Sequence, residues 1–204
     1  MSKLRNIIPD QETGSKTGAR ARMRCVNEHA AAQLYRLAAK RLLSVNNWGR
    51  ISGTDEDSFQ LTGSKGEPID TAAPEPGQLI RIKLPALGNG SGGGYDWVRI
   101  EAIEAEGNEL TPIESIAIRV RPVSAPVNKE PHTAHFYTTE ATSTFCVLRR
   151  RKDVWAMEFG RNEVANTHVP LLTALRNLAI AIGAWIGFAH VRWKSLMKGL
   201  LRTG

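Results

Sequence analysis

THVPLLTALRNLAIAIGAWIGFAHVRWKSLMKGLL, running from Thr167 to Leu201, is the stretch on which the fold turns. Leu171, Leu175, Leu178, Ile182, Trp185, Ala189, Trp193, Leu196 and Leu200 follow one another at steps of three and four. That spacing keeps side chains on one face of a helix. The pattern predicts a single long amphipathic helix with an apolar stripe that something else must cover.

The segments upstream supply the cover. Ile80, Ile82 and Leu84 alternate with Arg81 and Lys83, Val98 and Ile100 with Arg99 and Glu101, and Ile116, Ile118 and Val120 with Arg119 and Arg121. Phe59 and Leu61 mark a further short strand. Residues 144–149 and 154–160 read as a hairpin around Arg151-Lys152-Asp153, with Trp155, Met157 and Phe159 on one face. Strict alternation with charges on the off-face describes an antiparallel sheet buried on one side. The connections are too short for crossover helices. Before the strands, residues 21–26 read as a first strand and residues 28–44 as a helix with Asn27 as its N-cap and Glu28 in its first turn. The order is strand, helix, six strands, long helix, with no internal repeat.

At 204 residues and 42% hydrophobic content the chain is long enough for one sizeable core. Its net charge of +7 permits nucleic acid, anionic lipid or acidic proteins as partners without requiring any of them. Residues 1–20 are basic and carry no periodicity, so they read as a flexible N-terminal arm, with a single domain over 21–204. The N-terminus lacks the apolar core of a secretory signal, and the two cysteines, Cys25 and Cys146, read as free thiols. Together these imply a cytoplasmic protein. The longest uncharged apolar run, Leu178 to Ala189, is twelve residues, against the ~20 a spanning helix needs. No transmembrane segment is expected; contact with a membrane surface through Trp185, Phe188, Trp193 and their flanking cations is an alternative.

The order of elements resembles the helix-grip fold of the START-like or SRPBCC superfamily, which includes the birch pollen allergen group and the polyketide cyclases. The helix ending before Asn47-Trp48, the strands Gly77 to Leu84, Trp97 to Ile103 and Ile116 to Arg121, and the Trp155-to-Gly160 strand leading into the last helix carry the resemblance. Only Val45 to Gly53 can supply the family's second short helix. The resemblance implies an α+β fold in which a curved seven-stranded antiparallel sheet wraps around a long C-terminal helix. It also implies binding of a small apolar molecule between the two. Some members of that superfamily are enzymes, so a cyclase- or hydrolase-like activity on such a ligand is the alternative. No catalytic residue set is shared across the superfamily, and none is assigned here.

On the alternation pattern, the residues expected to line the ligand space are Ile82, Val98, Ile118, Trp155, Met157, Ile182 and Trp185, with Tyr137 and His190 as its polar groups. Other motifs fall away. Gly14-Ser-Lys-Thr-Gly18 lacks the strand, helix and glycine spacing of a phosphate-binding loop. The glycine run Gly88 to Gly94 leads into a strand rather than a helix and reads as a hairpin loop at the mouth of the cavity. His132 and His135 have no third ligand nearby, so neither metal nor cofactor is expected. The basic clusters lack interleaved aromatics, so nucleic acid is not an expected partner, and a basic interaction or nucleic-acid-binding module using residues 1–24 is a further alternative. The sequence leaves the oligomeric state open.

Overall fold

The computed structural model describes residues 2–54, 59–71, 73–83, 95–126, 140–164 and 191–203. In chain order these form α1 (Ser2–Ile7), β1 (Ser15–Arg24), α2 (Glu28–Leu43), a 3-10 turn (Val45–Asn47), α3 (Trp48–Ser52), β2 (Phe59–Thr62), β3 (Leu79–Lys83), β4 (Tyr95–Glu106), β5 (Ile113–Pro122), β6 (Thr142–Arg150) and β7 (Asp153–Glu163). Residues 191–200 are helical. The glycine run 88–94, His132, His135, Tyr137 and the expected helix before residue 191 lie outside the described residues.

The strands form one seven-stranded antiparallel sheet in the order β1-β7-β6-β5-β4-β3-β2. Helix α2 begins where Asn27, in extended conformation, accepts the Ala30 amide on its side chain at 2.8 Å. It buries Ala31, Leu34, Tyr35, Ala38 and Leu42 at three- and four-residue steps. It ends at Ser44, whose amide and hydroxyl both donate to the Lys40 carbonyl. The 3-10 turn and α3 occupy the stretch from Val45 that the sequence reserved for a short second helix.

One face of the sheet, here the inner face, carries Ala19 (β1), Val154 and Ala156 (β7), Phe145 and Val147 (β6), Ile118 and Val120 (β5), Val98 and Ile100 (β4), Ile80 and Ile82 (β3), and Phe59 and Leu61 (β2). Leu196, Met197, Leu200 and Leu201 of the C-terminal helix bury themselves in that layer, as does the buried face of α2. Four rings pin the helix there. Trp193 lies 4.9 Å from Phe145 and 5.9 Å from Phe59, and Trp48 lies 5.0 Å and 5.6 Å from the same two. At the helix end, a Cβ on Gly199 would meet the Ile51 carbonyl oxygen at 1.9 Å, so only glycine permits this approach to α3. Arg41 of α2 donates to the Gly199, Leu200 and Arg202 carbonyls and so satisfies the last turn. This α+β arrangement, a seven-stranded antiparallel sheet closed on a C-terminal helix, is the fold expected from the sequence.

Two expectations are corrected. Residues 1–20 are not an unstructured arm: α1 occupies Ser2–Ile7 and the first strand begins at Ser15, not at residue 21. The inward positions of β1 are Thr17, Ala19, Ala21 and Met23, mostly small side chains that leave no apolar signature, while Lys16, Arg20, Arg22 and Arg24 face out. The second correction follows from the first. Helix α1 buries Leu4 and Ile7 on the outer face against Ala117, Cys146 and Leu148, so the sheet is covered in part on both sides. Arg119 secures α1 by donating to the Ile7 carbonyl, and it also pairs with Glu101 at 2.8 Å.

Candidate functional site

Strand β7 carries a buried carboxyl. Glu158 shares its face with Val154 and Ala156, sits opposite Phe145 of β6 and Ala19 of β1, and is 2% exposed. Its Oε1 is buried with no hydrogen-bond partner among the described residues. A buried ionised carboxylate without a partner is costly. Burial, helped by the neighbouring Glu163 carboxylate, pushes the Glu158 pKa up to about 8. The Ala19 amide and the Arg161 guanidinium pull the other way and do not offset this. At neutral pH Glu158 therefore holds a proton and can donate as well as accept.

Glu163 reaches the same face through a break in the ladder. Thr17 pairs with Gly160 but Ser15 pairs with Glu163, which leaves a bulge at Arg161 and Asn162. Asn162 has a positive φ of 55°, a conformation asparagine tolerates better than most residues. Its side-chain oxygen accepts the Glu12 and Thr13 amides at 2.8 and 3.1 Å, which ties the turn before β1 to this end of β7. Such bulges re-aim side chains. Glu163 folds back over Gly160, where a Cβ would lie 2.3 Å from its Oε1 and 2.2 Å from the Thr17 hydroxyl oxygen. The missing side chain at Gly160 makes room for the carboxyl. Thr17 donates to Glu163 at 3.0 Å, and Ser15 donates at 3.4 Å. Burial still raises the Glu163 pKa; these two hydroxyls and Arg161 moderate the rise.

Two more buried charges lie on the inner side, at the same end of the sheet. Asp96 is the register partner of Ile82, and burial pushes its pKa up to about 6 against the pull of the Trp97 amide. Arg192 of the C-terminal helix is 5% exposed, donates to the Lys83 carbonyl at 3.2 Å and stands 4.5 Å from the Phe59 ring centre. The opposite end of the inner face is closed by a satisfied pair. Arg149 donates to Glu114 at 2.6 Å and to the Thr111 carbonyl, with Tyr35 of α2 close enough to feel both charges. Among the described residues the interior thus has one sealed end and one end with an unsatisfied carboxyl.

Of the residues expected to line a ligand space, Ile82, Val98 and Ile118 lie on the inner face in the layer that receives the C-terminal helix. Trp155 and Met157 do not. They lie on the outer face, packed against the cluster that α1 covers, so their place in the lining is corrected. The inward positions of β7 are the smaller Val154, Ala156 and Gly160, together with Glu158, which let α2 and the sheet approach closely. Tyr137, Ile182, Trp185 and His190 lie outside the described residues. The sequence reading missed Glu158. Its signal was a lone acid in the alternating hairpin, visible only once the parity of β7 is set correctly.

Among the described residues no group of three or more His, Cys, Asp or Glu could hold a metal. No described helix is long and apolar enough to cross a membrane. Cys25 and Cys146 are free; burial pushes the Cys146 thiol up to about 12 and raises Cys25 as well.

By sequence, the chain matches no family model and no curated protein. Among solved structures it is similar to Ara h 8.0201 (9% identity, TM-score 0.37, covering 92% of this chain and 99% of that one). It is similar also to a truncated norcoclaurine synthase from Thalictrum flavum (6% identity, TM-score 0.39, covering 96% and 100%). A third is the major latex-like protein 151 of Panax ginseng (13% identity, TM-score 0.32, covering 87% and 99%). These neighbours are Bet v 1-like proteins of the START/SRPBCC superfamily. The helix-grip assignment itself rests on this chain's own strand order, register and inner-face helix.

Proposed function

We propose that the protein binds a small molecule with an apolar body and one hydrogen-bonding head, between the inner face of the sheet and the C-terminal helix. The observation that carries this is Glu158: a proton-holding carboxyl, almost fully buried between Ala19, Phe145 and Ala156, with an oxygen that has no partner among the described residues. A solid core has no use for such a group, because an unsatisfied buried polar atom costs about 1–3 kcal/mol. A ligand hydroxyl, carbonyl or amine would satisfy it. Ile82, Val98 and Ile118 supply apolar lining; Tyr137, Ile182, Trp185 and His190, which lie outside the described residues, are the further candidates from the sequence. A cytoplasmic location fits the two free thiols.

The test compares native and denatured mass spectra of the freshly purified full chain, followed by displacement of the neutral fluorophore N-phenyl-1-naphthylamine. A medium-chain alcohol should displace the probe at least tenfold more effectively than the alkane of equal length. Glu158→Leu should abolish that preference while retaining probe binding. If the probe does not bind, or if alcohol and alkane compete equally in both proteins, the proposal fails.

The adjacent Glu158 and Glu163 favour a second reading, an enzyme acting on such a ligand. One carboxyl keeps its proton at neutral pH while its neighbour, with hydroxyl donors on it, gives its proton up more readily, the division of labour that acid–base catalysis uses. Recovery of a chemically altered ligand after incubation would select this reading over a carrier.

A further inference from the structure

The far end of the sheet carries a different chemistry. The β6–β7 turn, Arg151 and Lys152, together with Arg24, Glu28, Arg150, Asp153 and Trp155, lines an open groove of about 640 Å³. Arg22 is the register partner of Trp155 and stands 5.4 Å from its ring centre, where Asp153 holds it at 2.9 Å. Asp153 also takes Arg24 at 3.4 Å. Arg150, Arg151 and Lys152 are consecutive and exposed and have no carboxylate partner among the described residues. Arg151 also has a positive φ of 53°, in a two-residue turn where glycine or asparagine is the usual choice.

We propose that this groove binds a single strand of nucleic acid, with phosphates on Arg24, Arg150, Arg151 and Lys152 and a base against Trp155. Guanidinium forks match phosphate oxygens, and an aromatic ring beside them is the stacking platform of single-strand binders. An acidic peptide would use the cations but brings no planar base to the indole, whose own neighbour is Arg22. In the sequence the aromatic and the β1 arginines are more than a hundred residues apart; the antiparallel β1–β7 ladder interleaves them.

The experiment is anisotropy of a labelled twelve-nucleotide oligo(dT) titrated with the full chain from 50 to 300 mM salt. Four phosphate contacts give a log–log slope near −3, at about −0.7 per contact for a single strand. Arg151→Gly should weaken binding roughly three- to tenfold and flatten the slope by about 0.7, with a melting temperature unchanged or raised, since glycine fits the turn better. Trp155→Leu, checked for folding by circular dichroism, should weaken binding at least fivefold without changing the slope. Glu158→Leu should bind as well as wild type, which separates this groove from the interior site. The proposal is overturned if no salt-dependent binding appears or if Arg151→Gly binds normally. Equal competition by duplex DNA, poly-glutamate or anionic phosphatidylserine vesicles would also overturn it.

Discussion

Replacing Glu158 by glutamine should make the protein more stable at high pH and leave it nearly unchanged at low pH. In the folded chain the Glu158 pKa stands at about 8, raised from an ordinary 4.5. A carboxyl whose folded pKa is raised contributes most below the unfolded value, and that contribution is lost as pH rises towards the folded value. Wild-type stability should therefore fall between pH 4.5 and 8 and level off above. At about 1.36 kcal/mol per pH unit the full span is on the order of 5 kcal/mol. Water admitted beside an ionised Glu158 trims this to about 2–4 kcal/mol. Asp96 titrates in the same sense up to about pH 6, but it is common to both proteins and cancels in the difference. Urea unfolding at pH 5, 6, 7, 8 and 9 gives the stability of each. Glu158→Gln minus wild type should rise from near zero at pH 5 to about 2–4 kcal/mol at pH 9, roughly 10 °C in melting temperature for a chain of this size. A difference that stays flat across the series would refute the burial argument.

Glu163→Gln removes a charge that raises the Glu158 pKa, so the loss of stability should start at the same pH but level off at a lower one, read as a smaller fall between pH 6 and 8 in the same urea series. Arg149→Leu leaves Glu114 buried without its cation and should cost about 3–5 kcal/mol by chemical denaturation; adding Glu114→Gln should recover part of this. Gly199→Ala drives a methyl into the Ile51 carbonyl and should lower stability by about 1–3 kcal/mol, with loss of near-ultraviolet ellipticity from the Trp193, Phe145 and Trp48 cluster as the C-terminal helix is pushed away.

The sheet and α2 were legible in the sequence because their physics is local. Asn27 is a cap by its own side chain, and Ile80, Ile82, Val98, Ile100, Ile116, Ile118 and Val120 alternate with charges that cannot face a core. The candidate site was not legible, and the cause is one strand. In β7 both parities are plausible: Trp155, Met157 and Phe159 outweigh Val154, Ala156, Glu158 and Gly160 in apolar area, so local hydrophobicity points the larger set inward. The chain does the reverse because α1 exists to cover the outer face, through Leu4 and Ile7. If residues 1–20 are an arm, that cover is missing and β7 inverts, and an inverted β7 points Glu158 to solvent. The role of Gly160 and the bulge at Asn162 in turning Glu163 inward depends on β1 pairing with β7 across almost the whole chain, which no window of sequence displays.

The most direct measurement of the central claim is a carboxyl-carbon NMR titration of the full chain labelled at glutamate, with the Glu158 signal identified by its loss in Glu158→Gln. A midpoint near 8 is expected, moving when a medium-chain alcohol is added. A midpoint between 4 and 5, indifferent to added alcohol, would mean that this carboxyl is solvated and that the interior has no polar anchor to offer a ligand.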